Sequence, residues 1–220
     1  MGHPLAPNDA ADDERQGLDR LAEPFKPKDL AECTERIARF FDAFSNQRVY
    51  WRERHLGYYK EVENEYRFLI PPGSSVLEIG CATGDLLAAL DPSMGLGIDI
   101  SPRMIEIASQ KHKGNVRFSV LSAESISAEE GPFDYIILSD LLHFLYDINA
   151  VFEKLKCICH ARTRLIINFY SHLYQPLYGL AEWCGLKARQ PVLNWISSED
   201  VIGLLQLNGY EVVLSYPRIL

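Results

Sequence analysis

Two carboxylates in this sequence, Glu78 and Asp99, each lie at or near the end of a short apolar run. Glu78 interrupts the run from Val76 to Ile79, which stops at Gly80. Asp99 ends a second run about 20 residues beyond that glycine, the offset at which α/β nucleotide-binding folds hold a ribose. A carboxylate can accept hydrogen bonds from both hydroxyls of a ribose diol. The spacing therefore predicts a site for a ligand that contains a nucleoside.

Gly80 and Gly84 frame a predicted tight turn between a strand and a helix. The apolar run before Gly80 is typical of a buried strand, and the run at residues 86–90 is typical of a helix. Glycine has no Cβ, so the backbone can turn sharply there and a ligand can come close to it. The alternative interpretation of these glycines is a purely structural strand–helix turn.

The turn departs from the fingerprint of dinucleotide-binding sites. That fingerprint is G-x-G-x-x-G, with the diphosphate at the N-terminus of the helix. Here Ala82 stands at the second glycine position and Asp85 at the third. The carboxylate of Asp85 would repel a diphosphate. The substitutions therefore argue against a nicotinamide-dependent oxidoreductase.

The pattern E-x-G-x-x-x-G, from Glu78 to Gly84, resembles motif I of the class I S-adenosylmethionine (SAM) methyltransferases. In that family a strand, an acid and a Ser-Pro pair follow, as at residues 95–102, where Ser101 is a predicted N-cap. Residues 133–143 resemble motif IV. The resemblance covers roughly residues 35–216 and implies SAM as cofactor and S-adenosylhomocysteine as product. SAM has no phosphate, so an acidic turn is compatible with it.

The resemblance also assigns cofactor-binding residues. Glu78 would organise the turn and the methionine end, and Asp99 would bind the ribose. Relatives commonly have an aspartate at the position of Ser122, where it accepts the adenine amino hydrogen; a serine accepts less strongly. The predicted cofactor-binding residues are Glu78, Gly80, Cys81, Ala82, Gly84, Asp99, Ile100, Ser122, Ala123, Glu124 and Ser139.

On the acceptor side, His143 follows the predicted fourth strand, where many small-molecule methyltransferases have a histidine. An imidazole can accept a hydroxyl proton near neutral pH, so His143 is the candidate base. The alternative is a histidine that packs or orients a loop. An aromatic segment at residues 170–183 follows the fifth strand, at the sheet edge where substrates bind. The candidate substrate residues are Asp140, Tyr146, Tyr170, His172, Trp51 and Tyr59.

Composition excludes several classes of function. The net charge of -8 disfavours nucleic acid as a partner, and no apolar run is long enough to span a bilayer. The N-terminus has no secretory apolar region, and the odd count of five cysteines favours a reducing cytoplasm. The spacing of Cys157, Cys159 and His160 does not fit a zinc site, so no metal is predicted.

The predicted fold is α/β, a Rossmann-like, doubly wound and mainly parallel sheet with N-terminal helices. Residues 1–26 are predicted to be a disordered or loose arm, 27–70 a helical lid with helices from Asp29 and from about Gln47, and 71–220 the SAM-binding domain. Six strands are expected, the sixth near 211–215 at an edge or paired across a dimer. The antiparallel last strand of the family is expected to be missing.

The predicted function is SAM-dependent methyl transfer to a small molecule, with a hydroxyl as one candidate nucleophile and nitrogen and carbon left open. The alternative is a non-catalytic SAM-binding module that serves a partner domain or complex. The expected missing strand and the serine at position 122 favour this alternative. Similar sequences occur in bacteria beside or fused to glycosyltransferases, so a glycosyltransferase is one candidate partner, and a second copy that pairs with the sixth strand would make a homodimer the other.

Overall fold

The computed structural model describes residues 17–184 and 188–217. The strands are β1 (Ser75–Ile79), β2 (Met94–Asp99), β3 (Val116–Val120), β4 (Phe133–Ser139) and β5 (Cys159–Asn168). They form one sheet in the order β3-β2-β1-β4-β5, and every pair of neighbours is parallel. This confirms the predicted α/β, Rossmann-like fold.

Helices connect the strands and cover both faces of the sheet. The α-helices are α1, described over residues 17–21, α2 (Leu30–Arg54), α3 (Leu56–Leu69), α4 (Asp85–Ala89), α5 (Pro102–Lys111), α6 (Ile148–Leu155), α7 (Gln175–Trp183) and α8 (Ser198–Leu207). Short 3-10 turns lie at Ala123–Ser125, Leu142–Phe144, Lys156–Ile158 and His172–Tyr174. In the part of the chain that the structure describes, no helix is long and apolar enough to cross a membrane.

The core lies on both faces of the central strands because successive side chains in a strand point to opposite sides. Leu77 and Ile136 pack on the face that α6 and α8 cover. Val76 and Ile137 pack on the other face, against α3 and α4. Burial on both faces accounts for the nearly continuous apolar runs of β1 and β4. It also leaves the carboxyl edge of the sheet as the place where polar side chains can gather.

The predicted sixth strand is wrong. Helix α8 ends at Leu207 with Asn208 as its C-cap, Gly209 follows with φ +80°, and residues 211–217 pair with no other strand among the described residues. The apolar side chains that suggested a strand, Val213 and Leu214, are 70% and 66% exposed. Strand β5 is therefore the last strand of the described sheet. The residue pattern alone was misleading because a strand also needs a neighbouring strand with which to form backbone hydrogen bonds.

The boundary between the two N-terminal helices was also predicted wrongly. Helix α2 continues past Ser45 to Arg54, and the break falls at His55. The hydroxyl of Ser45 donates to the carbonyl of Asp42 one turn earlier in the same helix. The serine is therefore accommodated within the helix and does not end it. The start was predicted correctly, since Asp29 caps α2 by accepting a hydrogen bond from the Glu32 amide.

The described end of the N-terminal segment, from residue 17, packs on the helices that follow it, while the loose arm over residues 1–26 remains a prediction. Leu18 and Ala22 are buried against Phe40 and Phe44 of α2 and Met104 of α5. Burying these small apolar groups favours a fixed position for this end of the arm. Residues 1–16 lie outside the described residues, and the boundaries at 26 and 70 remain predictions.

Candidate functional site

A cavity of about 950 Å³ opens at the carboxyl ends of the strands. The loops after β1, β2, β3 and β4 form its floor, and helices α2 and α3 cover it. Its volume is near the upper end of the range of about 300–1,000 Å³ that is typical of small-molecule sites. The cavity therefore has room for a cofactor and a second ligand.

Hydrogen bonds to the carboxylate of Asp99 hold the turn after β1 in place. One oxygen of its carboxylate accepts the Ala82 amide at 2.9 Å and the other accepts the Ser101 amide at 2.9 Å. The amides of Gly80 and Cys81 bond to the Ile98 carbonyl. Asp99 thus anchors the turn in addition to lining the cavity, a role that the sequence did not reveal.

Gly80 and Ala82 have positive φ angles, +74° and +47°. A Cβ at Gly80 would come within 2.8 Å of the Leu141 side chain, so this position requires glycine for its conformation and for space. Alanine rarely adopts the left-handed conformation. Backbone strain at a cavity wall fits a turn shaped for a ligand.

Glu78 is buried beneath the turn, and one of its carboxylate oxygens accepts the Leu87 amide at 3.0 Å. Burial raises the pKa of Glu78 to about 8, although the Leu87 amide and the charge of Arg48 act in the opposite direction. A cation in the cavity would favour the ionised carboxylate. Glu78 therefore suits a ligand with an ammonium group.

Arg52 connects the covering helices to the turn. It contacts Glu63 of α3 at 2.5 Å and Asp85, at the start of α4, at 3.3 Å. Burial alone would raise the pKa of Asp85, but hydrogen bonds from Lys111 and Thr83 and the charge of Arg52 lower it. Asp85 is therefore ionised and holds the N-terminal helices to the strand–helix turn.

Arg48 of α2 also lines the cavity. Its Nε atom is buried and has no hydrogen-bond partner among the described residues. A buried donor without a partner is costly unless a ligand supplies an acceptor. Arg48 and Arg52 were not among the site residues predicted from the sequence. Their signal was the spacing i, i+3, i+4, i+7 of Arg48, Trp51, Arg52 and His55, which places one face of α2 against the cavity.

On the acceptor side, Asp140 follows β4 with φ +54°. Its carboxylate accepts hydrogen bonds from Asn168 Nδ2 at 3.0 Å and from the Tyr170 hydroxyl at 3.5 Å. The Tyr170 hydroxyl also lies 3.2 Å from that of Tyr58, and Tyr66 donates to Asn168. A network of hydroxyl, amide and carboxylate groups therefore joins α3 to the ends of β4 and β5.

The geometry of His143 argues against its predicted role as base. Its side chain is 3% exposed, and both ring nitrogens are hydrogen-bonded to backbone. Nδ1 lies 2.8 Å from the Asn194 carbonyl, which can only accept, and Nε2 accepts the Tyr170 amide at 3.1 Å. With both nitrogens in use, the ring cannot readily take a proton from a substrate. It instead holds together the ends of β4 and β5 and the segment around Asn194.

Most of the predicted residues come together around this cavity. The predicted residues that line it are Trp51, Tyr59, Glu78, Gly80, Cys81, Ala82, Asp99, Ile100, Ala123, Glu124, Ser139, Asp140, His143 and Tyr170. Residues 185–187, next to the predicted aromatic segment, lie outside the described part of the chain.

Four predicted residues do not line the cavity. A Cβ at Gly84 would lie 2.5 Å from the Phe118 ring, so this glycine serves the packing of the turn. The Ser122 hydroxyl is 2.8 Å from that of Ser125. Tyr146 is 42% exposed, and His172 is also on the surface.

The aromatic segment at 170–183, which was expected at the edge where substrates bind, meets the cavity with only some of its residues. Tyr170 and Tyr178 line the cavity, whereas Trp183 is 83% exposed. A helix presents only one face inward, so a run of aromatic residues cannot all point into the same space. In the described residues, no group of three or more His, Cys, Asp or Glu side chains is placed to hold a metal ion.

Comparisons with known proteins identify a family. A family model described as a methyltransferase domain matches residues 50–215. The chain is 28% identical over 138 residues to a demethylmenaquinone methyltransferase of Lactococcus lactis, covering 59% of this chain and 55% of that protein. It is 25% identical over 132 residues to a 2-methyl-6-phytyl-1,4-hydroquinone methyltransferase of Synechocystis, covering 48% and 42%. The matches thus span about half the length of these relatives.

The solved structures agree on the fold. A SAM-dependent methyltransferase of Thermotoga maritima superposes with a TM-score of 0.65 at 21% identity, covering 80% of this chain and 82% of that one. Similarity at this identity shows a shared fold. Since the family model spans most of the chain, the chain belongs to the methyltransferase domain family, with the class I fold and with SAM as the cofactor that is converted to S-adenosylhomocysteine.

Proposed function

We propose that this protein transfers the methyl group of SAM to a small-molecule acceptor bound in the same cavity. The observation that carries the proposal is the single cavity, which extends from Glu78 and Asp99 to Asp140 and Tyr170. One end has groups suited to a charged nucleoside, and the other end has aromatic rings and a few polar groups. A shared cavity allows the two reactants to meet without a separate transfer step.

The residues present fit SAM. Asp99 and the turn at Gly80 would hold the ribose and the amino acid portion, and Glu78 would favour the ammonium group. The buried Nε of Arg48 has no hydrogen-bond partner among the described residues, and the carboxylate of SAM would supply the missing acceptor. Bound SAM supplies a methyl group activated by a sulfonium. Trp51 and Tyr59 also line the cavity, where an aromatic face attracts a cation by roughly 0.5–2 kcal/mol.

The chain's own contribution to the reaction is mainly position. Methyl transfer is a displacement at an already activated carbon, so holding the acceptor in line and excluding water account for most of the acceleration. Asp140 and Tyr170 are the polar groups placed to orient the acceptor. A hydroxyl acceptor remains one candidate, and an acceptor with a high pKa also needs a base.

Two measurements test the proposal. Titration calorimetry should show that SAM and S-adenosylhomocysteine bind, and incubation with methyl-labelled SAM and metabolite extracts should yield a labelled small product. Failure to bind SAM would overturn the proposal. Binding without transfer to any extract component would instead indicate the non-catalytic SAM-binding module. The variant Glu153→Gln, altered at an exposed site outside the cavity, is the control.

Two further expectations belong to this proposal. The first is a cytoplasmic location, which is supported by the five free cysteines because thiols usually stay reduced in the cytoplasm. A homodimer or a glycosyltransferase partner remains a prediction that size-exclusion chromatography with light scattering and co-purification can test.

A further inference from the structure

Four aromatic side chains form one wall of the acceptor end, called here the aromatic wall: Tyr58, Tyr170, Tyr178 and Trp195. All four line the cavity. The rings of Tyr170 and Tyr178 lie 4.8 Å apart at 60°, and those of Tyr178 and Trp195 lie 6.0 Å apart at 58°. The faces and edges of these rings therefore form a continuous surface.

Hydrogen bonds and stacking fix the position of this wall. The ring of His143 stacks on that of Tyr170 at 5.9 Å and 15°, and its Nε2 accepts the Tyr170 amide. The Tyr170 hydroxyl lies between the hydroxyl of Tyr58 and the carboxylate of Asp140. A wall whose rings are fixed before binding loses little entropy when a ligand arrives.

The charge around the cavity is negative. Among the described residues, six carboxyl groups line it, those of Glu61, Glu78, Asp85, Asp99, Glu124 and Asp140, against two guanidinium groups, Arg48 and Arg52. Glu78, whose pKa is raised to about 8, is mostly protonated at neutral pH in the ligand-free protein, and the remaining carboxyl groups still outnumber the guanidinium groups. Arg52 is engaged by Glu63 and Asp85. Asp140 is the carboxylate that contacts the aromatic wall. Both the lining and the wall thus favour a cation over an anion at the acceptor end.

The pKa values of two tyrosines of the aromatic wall also reflect the negative charge of Asp140. Burial, followed by the charge of Asp140, raises the pKa of Tyr58 to about 12. The same two causes raise the pKa of Tyr170. Burial and a neighbouring negative charge disfavour a phenolate, and a phenolic acceptor that had to ionise there would meet the same penalty.

We propose that the acceptor is a primary or secondary amine that enters as its ammonium cation and is held by the aromatic wall and the carboxylate of Asp140. The inference rests on the proposed function and specifies its substrate class. The face of an aromatic ring attracts a cation, and several rings around an ammonium group form a recognition site for it. Asp140 adds a direct charge contact at the rim of that site.

The reaction balances with groups present in the cavity. The ammonium nitrogen gives one proton to the Asp140 carboxylate and so gains a lone pair. That nitrogen forms a bond to the methyl carbon while the bond from this carbon to the cofactor's sulfur breaks, and the electron pair remains on sulfur. The methylated amine leaves as a cation, and Asp140 returns its proton to solvent. No oxidant or further reactant is needed.

A binding test uses pairs of probes that differ only in charge. Choline and its uncharged isostere 3,3-dimethylbutan-1-ol form one pair, and phenylalkyl trimethylammonium ions with their tert-butyl counterparts form others. Calorimetry is carried out on the complex with S-adenosylhomocysteine. Each cation of the panel should bind at least about 10-fold more tightly than its uncharged counterpart, a difference of about 1.4 kcal/mol in binding free energy. Asp140→Asn should reduce that preference, and Glu153→Gln should keep it. No preference for any cation across the panel would overturn the inference.

A turnover test separates this inference from the proposed function. Phenethylamine, tyramine and their hydroxyl counterparts are incubated with methyl-labelled SAM and the products are identified. Methylation of amines, with a drop in kcat/KM for Asp140→Asn at unchanged SAM affinity, is expected. Methylation of hydroxyls with amines inert would overturn the inference and leave the proposed function intact. Failure to bind SAM would overturn both.

Discussion

The hydroxyl of Tyr66 donates a hydrogen bond to the side-chain oxygen of Asn168 at 2.5 Å, joining α3 to the carboxyl end of β5 across 102 positions of the chain. Asn168 in turn donates to Asp140. The covering helix therefore contacts the acceptor end through two hydrogen bonds, in addition to its apolar contacts with the sheet. Substitutions on the covering helix should accordingly affect the acceptor as well as the cofactor.

Asp99 is expected to matter for binding and for folding. Asp99→Ala should weaken SAM by roughly 1.5–3 kcal/mol, the cost of losing a hydrogen bond to a charged group. It should also lower the melting temperature, because the amides of Ala82 and Ser101 lose their acceptor. Calorimetry and thermal unfolding measure the two effects. Unchanged SAM affinity in a folded variant would contradict the assignment of Asp99 to the cofactor.

Substitution of Arg48 should weaken SAM binding without destabilising the ligand-free protein. Its buried Nε has no partner among the described residues, so Arg48→Met should leave the melting temperature of the ligand-free protein unchanged or raise it. SAM affinity should fall by about 10-fold or more, as expected for the loss of a charged hydrogen bond. Arg39→Met, at an exposed position of the same helix, is the matched control. Equal SAM affinity in both variants would remove Arg48 from the cofactor site.

His143 should behave as a positioning residue. His143→Ala removes two hydrogen bonds to backbone and should destabilise the protein by about 1–3 kcal/mol. Activity should fall with stability, while the pH dependence of the remaining activity keeps its shape. His143→Gln should recover part of both, since an amide can donate and accept. A stable His143→Ala protein with activity reduced roughly 10²–10⁴-fold, whose activity no longer shows the fall at low pH that protonation of a base causes, would restore His143 as the base.

Glu78 should make the stability of the ligand-free protein depend on pH. Burial raises its pKa to about 8, against 4.5 for an ordinary glutamate. Between these values the folded protein keeps a proton that the unfolded chain has released, so stability should fall as pH rises from about 4.5 to about 8. Glu78→Gln should flatten this dependence. Melting temperatures across that range provide the measurement, and parallel curves for the two proteins would contradict the assignment.

Most residues at one end of the cavity could be predicted from the sequence because their determinants are local. Glu78, Gly80 and Asp99 stand next to strands whose apolar runs are easy to recognise, and parallel strands place their carboxyl ends along one edge. Gly84 was the exception. Its φ of +74° requires glycine, and a Cβ there would also lie 2.5 Å from the ring of Phe118 on β3, a contact that local spacing cannot reveal.

The acceptor end was harder to predict because its contacts join distant parts of the chain. One partner of His143 is the carbonyl of Asn194, 51 residues away in a segment with no periodic pattern, and another is the amide of Tyr170. A histidine after a strand is compatible with catalysis and with packing, and these contacts distinguish the two roles. The predicted sixth strand failed for a similar reason, since Val213 and Leu214 have strand-like residue types but no neighbouring strand.

The contact between Gly80 and Leu141 joins the cofactor turn to the loop that follows β4. Leu141 occupies the space that a side chain at position 80 would need, with 2.8 Å between its Cδ1 and a Cβ placed there. Because position 80 requires glycine for its conformation as well as for space, changes at this contact across related sequences should be confined to position 141. Evolution of a new acceptor preference through the loop at 141 is then constrained by the turn at Gly80, which we propose holds the methyl donor.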